Sequence, residues 1–234
     1  MKNILIITLF VLLFTSCNKI TGEGPIVHQE RNISGFTGID LRMPGDVYVT
    51  PGPTFDVELN AQQNILDVME TYVEGNSLII RIKNDVSLKK HEPISIFISL
   101  PVVQSVRISG SGNINCPDSI FSTNFTTDIS GSGNINLAHV KASQLNANIS
   151  GSGSTRINGG DAPIALLNIS GSGNFHLLNF ATQTMSTTTS GSGNMFVNVA
   201  NNLNATISGS GSVHYLGNPV VNSTISGSGI VKKI

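Results

Sequence analysis

The sequence predicts an all-β protein, and within that class a parallel β-solenoid of about seven repeat coils, on three observations. The tetrapeptide Ser-Gly-Ser-Gly recurs seven times, starting at Ser109, Ser130, Ser150, Ser170, Ser190, Ser208 and Ser226. The spacings are 21, 20, 20, 20, 18 and 18 residues. Around each copy, apolar residues fall at odd offsets from the first Ser and polar residues at even ones. A constant period with a constant signature marks a stacked repeat. Period-two alternation marks strands with one buried face.

In chain order, residues 1–16 read as a secretory signal: Lys2, an apolar run from Ile4 to Phe14, then Thr15-Ser16 before a cysteine. The apolar run is too short to span a bilayer as a mature helix. Phe14-Thr15-Ser16-Cys17 is similar to a bacterial lipobox, with Phe14 where Leu is usual and Ser16 where Gly or Ala is commoner. On that reading Cys17 is the lipid-modified first residue of the mature protein and anchors it in a membrane, as an envelope lipoprotein of the outer membrane. Residues 17–24 read as a tether. Asn18 and Lys19 carry no acidic export signal, so the face of the membrane stays open.

Residues 25–108 form a β-rich N-terminal region. Strands are expected over 38–41, 46–50, 55–59, 77–83 and 94–100. A helix is expected over 62–73, where Ile65, Leu66, Val68 and Met69 are apolar. The region reads as a cap on the open end of the solenoid. Whether it adds coils in register with the repeats or forms a separate sheet is open at this level.

Residues 109–234 are the repeats. The residue before each tetrapeptide is Ile108, Ile129, Ile149, Ile169, Thr189, Ile207 or Ile225. Inward ladders also form five residues after it (Ile114, Ile135, Thr155, Phe175, Met195, Val213, Val231) and seven after it, starting at Cys116 and ending out of pattern at Lys233. Carried through the tetrapeptide, this parity turns both Gly inward and both Ser outward, at a bend too narrow for a Cβ. The opposite register would bury the Ser hydroxyls, at about 1–3 kcal/mol for each one left unsatisfied. One apolar anchor in the middle of each repeat (Val140, Phe180, Val199, Leu216) predicts a third side to the coil. The repeat lacks the hexapeptide pattern of left-handed solenoids, so a right-handed β-helix is expected.

Charge excludes some functions. The chain has net charge −1 and no basic nucleic-acid footprint. Residues 109–234 hold only Lys141, Arg156, Lys232, Lys233, Asp118, Asp128 and Asp161, with no Glu. The surface is therefore Ser, Asn and Thr.

The chain resembles a known family. Phe36-Thr37-Gly38-Ile39-Asp40-Leu41 is followed by Asp46-Val47-Tyr48-Val49, Leu78-Ile79-Ile80-Arg81-Ile82, Ile96-Phe97-Ile98-Ser99-Leu100-Pro101 and then the Ser-Gly-Ser-Gly-Asn repeats. That order is similar to the putative auto-transporter adhesin head GIN domain family. The resemblance covers residues 30–234. It implies an exported β-solenoid with an adhesive or surface role and no catalytic residues. No autotransporter translocator barrel is present in the sequence.

No reactive constellation is predicted. Asp118, Asp128 and Asp161 fall at unlike offsets, so no carboxylate pair for glycoside chemistry converges. His176 and His214 share an offset, but Phe196 occupies the coil between them, which puts them too far apart to share a zinc ion. Asn158-Gly159-Gly160-Asp161 occurs once and lacks the recurring Asp of calcium-binding coils. The Asn residues four positions after each tetrapeptide start (Asn113, Asn134, Asn174, Asn194) are expected to stack as amide ladders. Cys116 is expected to be a buried, inert thiol. Asp118-Ser119-Ile120 is similar to a bacterial O-glycosylation acceptor, which would put a glycan on Ser119. No metal or cofactor is expected. The reading is a non-enzymatic envelope lipoprotein that presents a rigid solenoid to a glycan or a surface protein. The alternatives are a carbohydrate-active β-helix enzyme and an ice-binding solenoid.

Overall fold

The computed structural model describes residues 18–234. The signal segment 1–16 and the lipidation site Cys17 lie outside the described residues. The chain forms β1 (Asn18–Ile20), β2 (Ile26–Glu30), β3 (Gly38–Arg42), β4 (Asp46–Pro51), β5 (Asp56–Gln62), the single turn α1 (Gln63–Leu66), β6 (Met69–Glu74), β7 (Ser77–Ile82), β8 (Val86–Leu88), β9 (Ser95–Leu100) and β10 (Ser105–Gly110). Then come the repeat strands β11 (Asn113–Gly131), β12 (Asn134–Gly151), β13 (Ser154–Ile157), β14 (Gly160–Gly171), β15 (Asn174–Gly191), β16 (Asn194–Gly209), β17 (Ser212–Leu216), β18 (Val220–Gly227) and β19 (Ile230–Lys233).

The repeats build a parallel β-solenoid of about 6 turns. Each tetrapeptide lies over the one before: Ser109 pairs with Ser130, Ser130 with Ser150, Ser150 with Ser170 and Ser170 with Ser190. Each coil has three sides. In the first full coil they are residues 113–116, 119–122 and 124–130, divided by a bulge between Cys116 and Ser119 and a gap in pairing at residue 123. The predicted middle anchors Val140, Phe180 and Val199 are fully buried. The inner ladders fuse into one core from Phe36 to Val213.

The tetrapeptide corner differs from its predicted form. The second Gly does point inward: a Cβ on Gly133 would lie 2.7 Å from Ile108 Cγ2. The first Gly does not. It is half-buried at Gly171 and equivalent positions, with φ between +125° and +146° along the seven corners. A Cβ on Gly171 would point along the stack, 2.5 Å from the carbonyl oxygen of Gly151. Both glycines lie close against the previous coil, a Cβ on Gly171 meeting the Gly151 carbonyl and one on Gly133 the Gly112 carbonyl; the first also holds a positive φ, and the second also lacks room inside against Ile108.

Residues 25–108 do two things. β3 and β4 lie in register beneath β10 and β11, with Leu41 opposite Ile108 and Asp46 opposite Asn113. β7 and β9 lie beneath β3 and β4. These strands extend two sides of the solenoid by two rungs. The antiparallel strands β6 on β7, β5 on β9 and β2 on β5 then cover the exposed edge. The edge that would template association thus passes from β7 and β9 to β2 and β6, which each pair on one side only among the described residues.

Two local expectations are corrected. The helix expected over 62–73 is one turn, α1, after which Met69–Glu74 runs as β6 against β7. Thr71, Tyr72 and Val73 are β-branched or aromatic and suit a strand, and the free edge of β7 supplies the partner. Residues 18–24 do not hang loose: Asn18–Ile20 pair with Val86–Leu88, and the Gly22 N–H donates to the Lys90 carbonyl at 2.9 Å.

At the other end β18 and β19 carry no further rung among the described residues. The inward offsets there hold Ser223 and Lys233, and Ile225 is 41% exposed. Lys233 is exposed and its Nζ donates to Asn218 Oδ1 at 3.3 Å, and a charged side chain along a sheet edge discourages edge-to-edge growth. In the core, Thr127, Thr155, Thr187 and Thr189 occupy inward positions with buried hydroxyls that have no hydrogen-bond partner. Their β-branched shape fills the ladder as Val would, at the cost of an unsatisfied hydroxyl.

The corner geometry sets a stability test. Gly171→Val should cost about 1–3 kcal/mol from overpacking, with strain at a positive φ added to it. Ser172→Ala, at an exposed position, should change stability by under about 0.5 kcal/mol. Chemical denaturation measures both, and equal losses would remove the corner assignment.

Candidate functional site

The third side of the coils carries a groove that runs along the solenoid axis. Two outward columns wall it. One is Arg107, Asp128, Asn148, Asn168 and Thr188; the other is Ser130, Ser150, Ser170 and Ser190. Alternation sets the columns two residues apart on each strand, about 6.7 Å. Between them the floor is the backbone of Ile129, Ile149 and Ile169, whose side chains are buried inside, and the groove, lined mostly by carbon, encloses about 420 Å³.

The first wall is one directed hydrogen-bond chain. Asn168 Nδ2 donates to Asn148 Oδ1 at 2.9 Å, and Asn148 Nδ2 donates to Asp128 Oδ1 at 2.7 Å. Arg107 Nη2 donates to Asp128 Oδ2 at 2.9 Å. The chain thus ends on a carboxylate whose two oxygens are both engaged. Asp128 cannot readily act as a free base while held this way. What the groove offers a ligand is amide and hydroxyl groups above an apolar floor.

The other residues singled out from sequence do not join this groove. Asp118 lies at the bulge, exposed; its carbonyl accepts the Cys116 thiol hydrogen at 3.5 Å. Asp161 sits in a later coil, 3.9 Å from Lys141 Nζ. Asn158-Gly159-Gly160-Asp161 forms a corner, with Gly160 at φ +107° over the Val140 backbone. Cys116 is buried, and burial pushes its thiol up to about 11. Ser119 is exposed at the bulge. The predicted amide ladders are present: Asn134 donates to Asn113 at 3.0 Å and Asn194 to Asn174 at 3.2 Å. His176 and His214 each stack on Phe196, with ring centroids 5.3 and 5.1 Å apart. Among the described residues no three His, Cys, Asp or Glu side chains gather as a metal site.

Sequence reading missed two features. The Arg107–Asp128 pair was overlooked although both residues stand two positions before a tetrapeptide, an offset that β10 on β11 sets in register. The stacked pair Tyr48 and Phe97, with centroids 5.2 Å apart, was hidden because its strands lie far apart in sequence. A signal existed for the first of these strands. Leu41 to Val47 matches Ile108 to Ile114 without a gap, with Gly45 in the place of Gly112.

The stacked parallel rungs and the repeated corner define a repeat protein of the β-solenoid class. The chain belongs to the family described as putative auto-transporter adhesin, head GIN domain, whose model matches residues 35–219. Membership implies a protein of the cell surface or envelope. A crystal structure of a putative adhesin from Bacteroides fragilis is 23% identical with a TM-score of 0.85, over 92% of this chain and 100% of that one. A putative lipid binding protein from Parabacteroides distasonis is 22% identical with a TM-score of 0.75, over 93% and 100%. A putative adhesin from Parabacteroides merdae is 18% identical with a TM-score of 0.74, over 93% and 99%. At these identities the likeness shows the fold. No curated protein sequence matches this chain.

Two histidines should titrate on opposite sides of 6.5, their unperturbed value. Hydrogen bonds to Glu58 and then Asn60 raise His28; burial and then the Arg156 guanidinium lower His176. The His28 pair therefore stabilises the fold fully below about pH 6.5, and that contribution fades as pH rises through its raised folded value. For His176 the sign is opposite: stability falls as pH drops below about 6.5 towards its depressed folded value. NMR titration of the imidazoles checks the order, and Arg156→Gln should move His176 upward.

Proposed function

We infer that this protein is a non-enzymatic, lipid-anchored envelope adhesin that binds a neutral glycan strand along the third-side groove. The observation that carries the reading is the unbroken Asn168–Asn148–Asp128 chain facing the Ser column across an apolar floor. An extended polymer of neutral sugars has hydroxyls for both walls and C–H faces for the floor. Glycoside hydrolysis calls for two carboxylates flanking the scissile bond, and Asp128 is the one carboxylate lining this groove.

Anchorage through Cys17 fits the sequence before it, and among the described residues no helix is long and apolar enough to cross a membrane. Because Asn18–Ile20 are paired to the body, an acyl group on Cys17 would hold the capped end close against the bilayer. The last rung, β18 and β19, would then face away from it. Several acyl chains at about 0.8 kcal/mol per buried CH₂ suffice for stable anchoring.

Two measurements test these claims separately. Cell fractionation should find the wild type in membranes and Cys17→Ala in the soluble fraction; a soluble wild type would end the anchoring claim. On an array of neutral polysaccharides the protein should bind without cleaving, and Asn148→Ala should weaken that binding several-fold. Raising ionic strength from about 0.05 to about 0.5 M should change it little, since few charges are there to screen. Turnover that depends on Asp128, or binding abolished by salt, would overturn the reading.

A further inference from the structure

We propose that the first side of the solenoid carries a second ligand groove, built for an acidic oligosaccharide, in which a neutral sugar packs on Tyr48 and a uronate carboxylate pairs with Arg156.

The groove encloses about 460 Å³. One wall is Tyr48, Asn115 and Asn136, the other is Pro117, Ala138 and Asn158, and Cys116 lies between them; Arg156 stands one rung beyond Asn136, at the end of the groove. The size lies within the range of small-ligand sites. The first wall is a single column: Tyr48 is in register with Asn115, Asn115 with Asn136, and Asn136 with Arg156. Three rungs separate Tyr48 from Arg156, roughly 14 Å at the strand spacing.

Each position in that column has a free function. Phe97 covers one face of the Tyr48 ring, nearly parallel at 16°, and Tyr48 is 37% exposed. The ring is held in place between Phe97 and the Asn115 rung, and its exposed edge and hydroxyl line the groove, where a sugar can pack and hydrogen-bond. Asn136 Nδ2 donates to Asn115 Oδ1 at 3.1 Å, which fixes both amides and leaves the Asn115 donors and the Asn136 acceptor at the groove. Arg156 is exposed and takes part in no ion pair among the described residues. Arg42, Arg81 and Arg107 all pair with carboxylates. A guanidinium offers a planar fork that matches a carboxylate.

The charges give the site a direction. Asp46, two residues before Tyr48, accepts from Asn113 at 2.7 Å, and Asp118 follows Pro117 at the bulge. Both acids sit toward the Tyr48 end. A ligand charged on every sugar would meet repulsion there. One with a neutral sugar at Tyr48 and a carboxylate three rungs along meets Arg156 instead. This groove faces a different side from the Asn148–Asn168 groove and stands independently of it.

The test uses the purified full chain in detergent, with a hyaluronan hexasaccharide, which alternates glucuronate with a neutral amino sugar, and the same hexasaccharide after reduction of its carboxyl groups. Isothermal titration should show binding of the acidic form and at least about tenfold weaker binding of the reduced form, as loss of a charge-assisted pair predicts. Arg156→Gln should weaken the acidic form about tenfold and leave the reduced form unchanged. Tyr48→Ala should weaken both, with far-ultraviolet circular dichroism and melting temperature confirming that each variant folds. Arg156 is exposed, so its variant keeps the test open even if Tyr48→Ala is unstable. Polyglutamate should not compete. Failure of the hexasaccharide to bind, equal binding of its reduced form, indifference to Arg156→Gln, or displacement by polyglutamate would each overturn the proposal. All titrations are made in the Asn148→Ala background, which weakens any hold of the neutral reduced form along the third-side groove, so failure here and failure of the neutral-glycan reading are told apart.

Discussion

Coil-on-coil register at about 4.8 Å is the constraint on which the rest of this structure depends. Every residue has a near-copy of itself directly above and below. At the corner this leaves no room for a Cβ along the stack, because the carbonyl of the previous coil's glycine lies where the Cβ would go. Inside, the same register sets Ile upon Ile, so one apolar column serves the whole length.

Outside, register governs charge. Two like charges one rung apart would repel by about 1 kcal/mol even in water, and by more near a low-dielectric wall. A repeated Lys or Glu column would pay that at every step. Amides and hydroxyls avoid it: one Asn donates to the next, as Asn134 to Asn113 and Asn168 to Asn148. Where charges do appear in the coils, opposite signs are set in register: Arg107 with Asp128 and Lys141 with Asp161. The near-absence of charge is thus a consequence of stacking, and it also yields surfaces suited to neutral ligands.

Arg156 departs from that rule. It stacks between Asn136 and His176 with no acid beside it, and its field helps hold His176 in the neutral form. A lone cation costs nothing in like-charge repulsion but leaves an unmet charge on an otherwise neutral column. The Tyr48–Phe97 pair is a similar departure at the other end of the column. Local exceptions to a repeat carry more functional information than the repeat itself.

The sequence alone determined the repeat, the inward columns, the buried Cys116, the third side and the amide ladders. Each of these follows from alternation within one strand and a period near 20 residues, which are local properties. It misassigned 62–73, because a short apolar pattern suits one helical turn and a strand equally until β7 offers an edge. It turned both corner glycines inward, because parity describes inside and outside but not the direction along the stack. The columns from Arg107 to Thr188 keep one offset from the tetrapeptide and so follow from the repeat. The groove from Tyr48 to Arg156 needed the tertiary structure, because only strand pairing places Tyr48 beneath Asn115. The β7–β9 rung reaches its place despite a twelve-residue connection, 83–94, where β3 and β4 are joined by three, 43–45. No local signal spans such an interruption; the hydrogen-bonding edge of the neighbouring rung does.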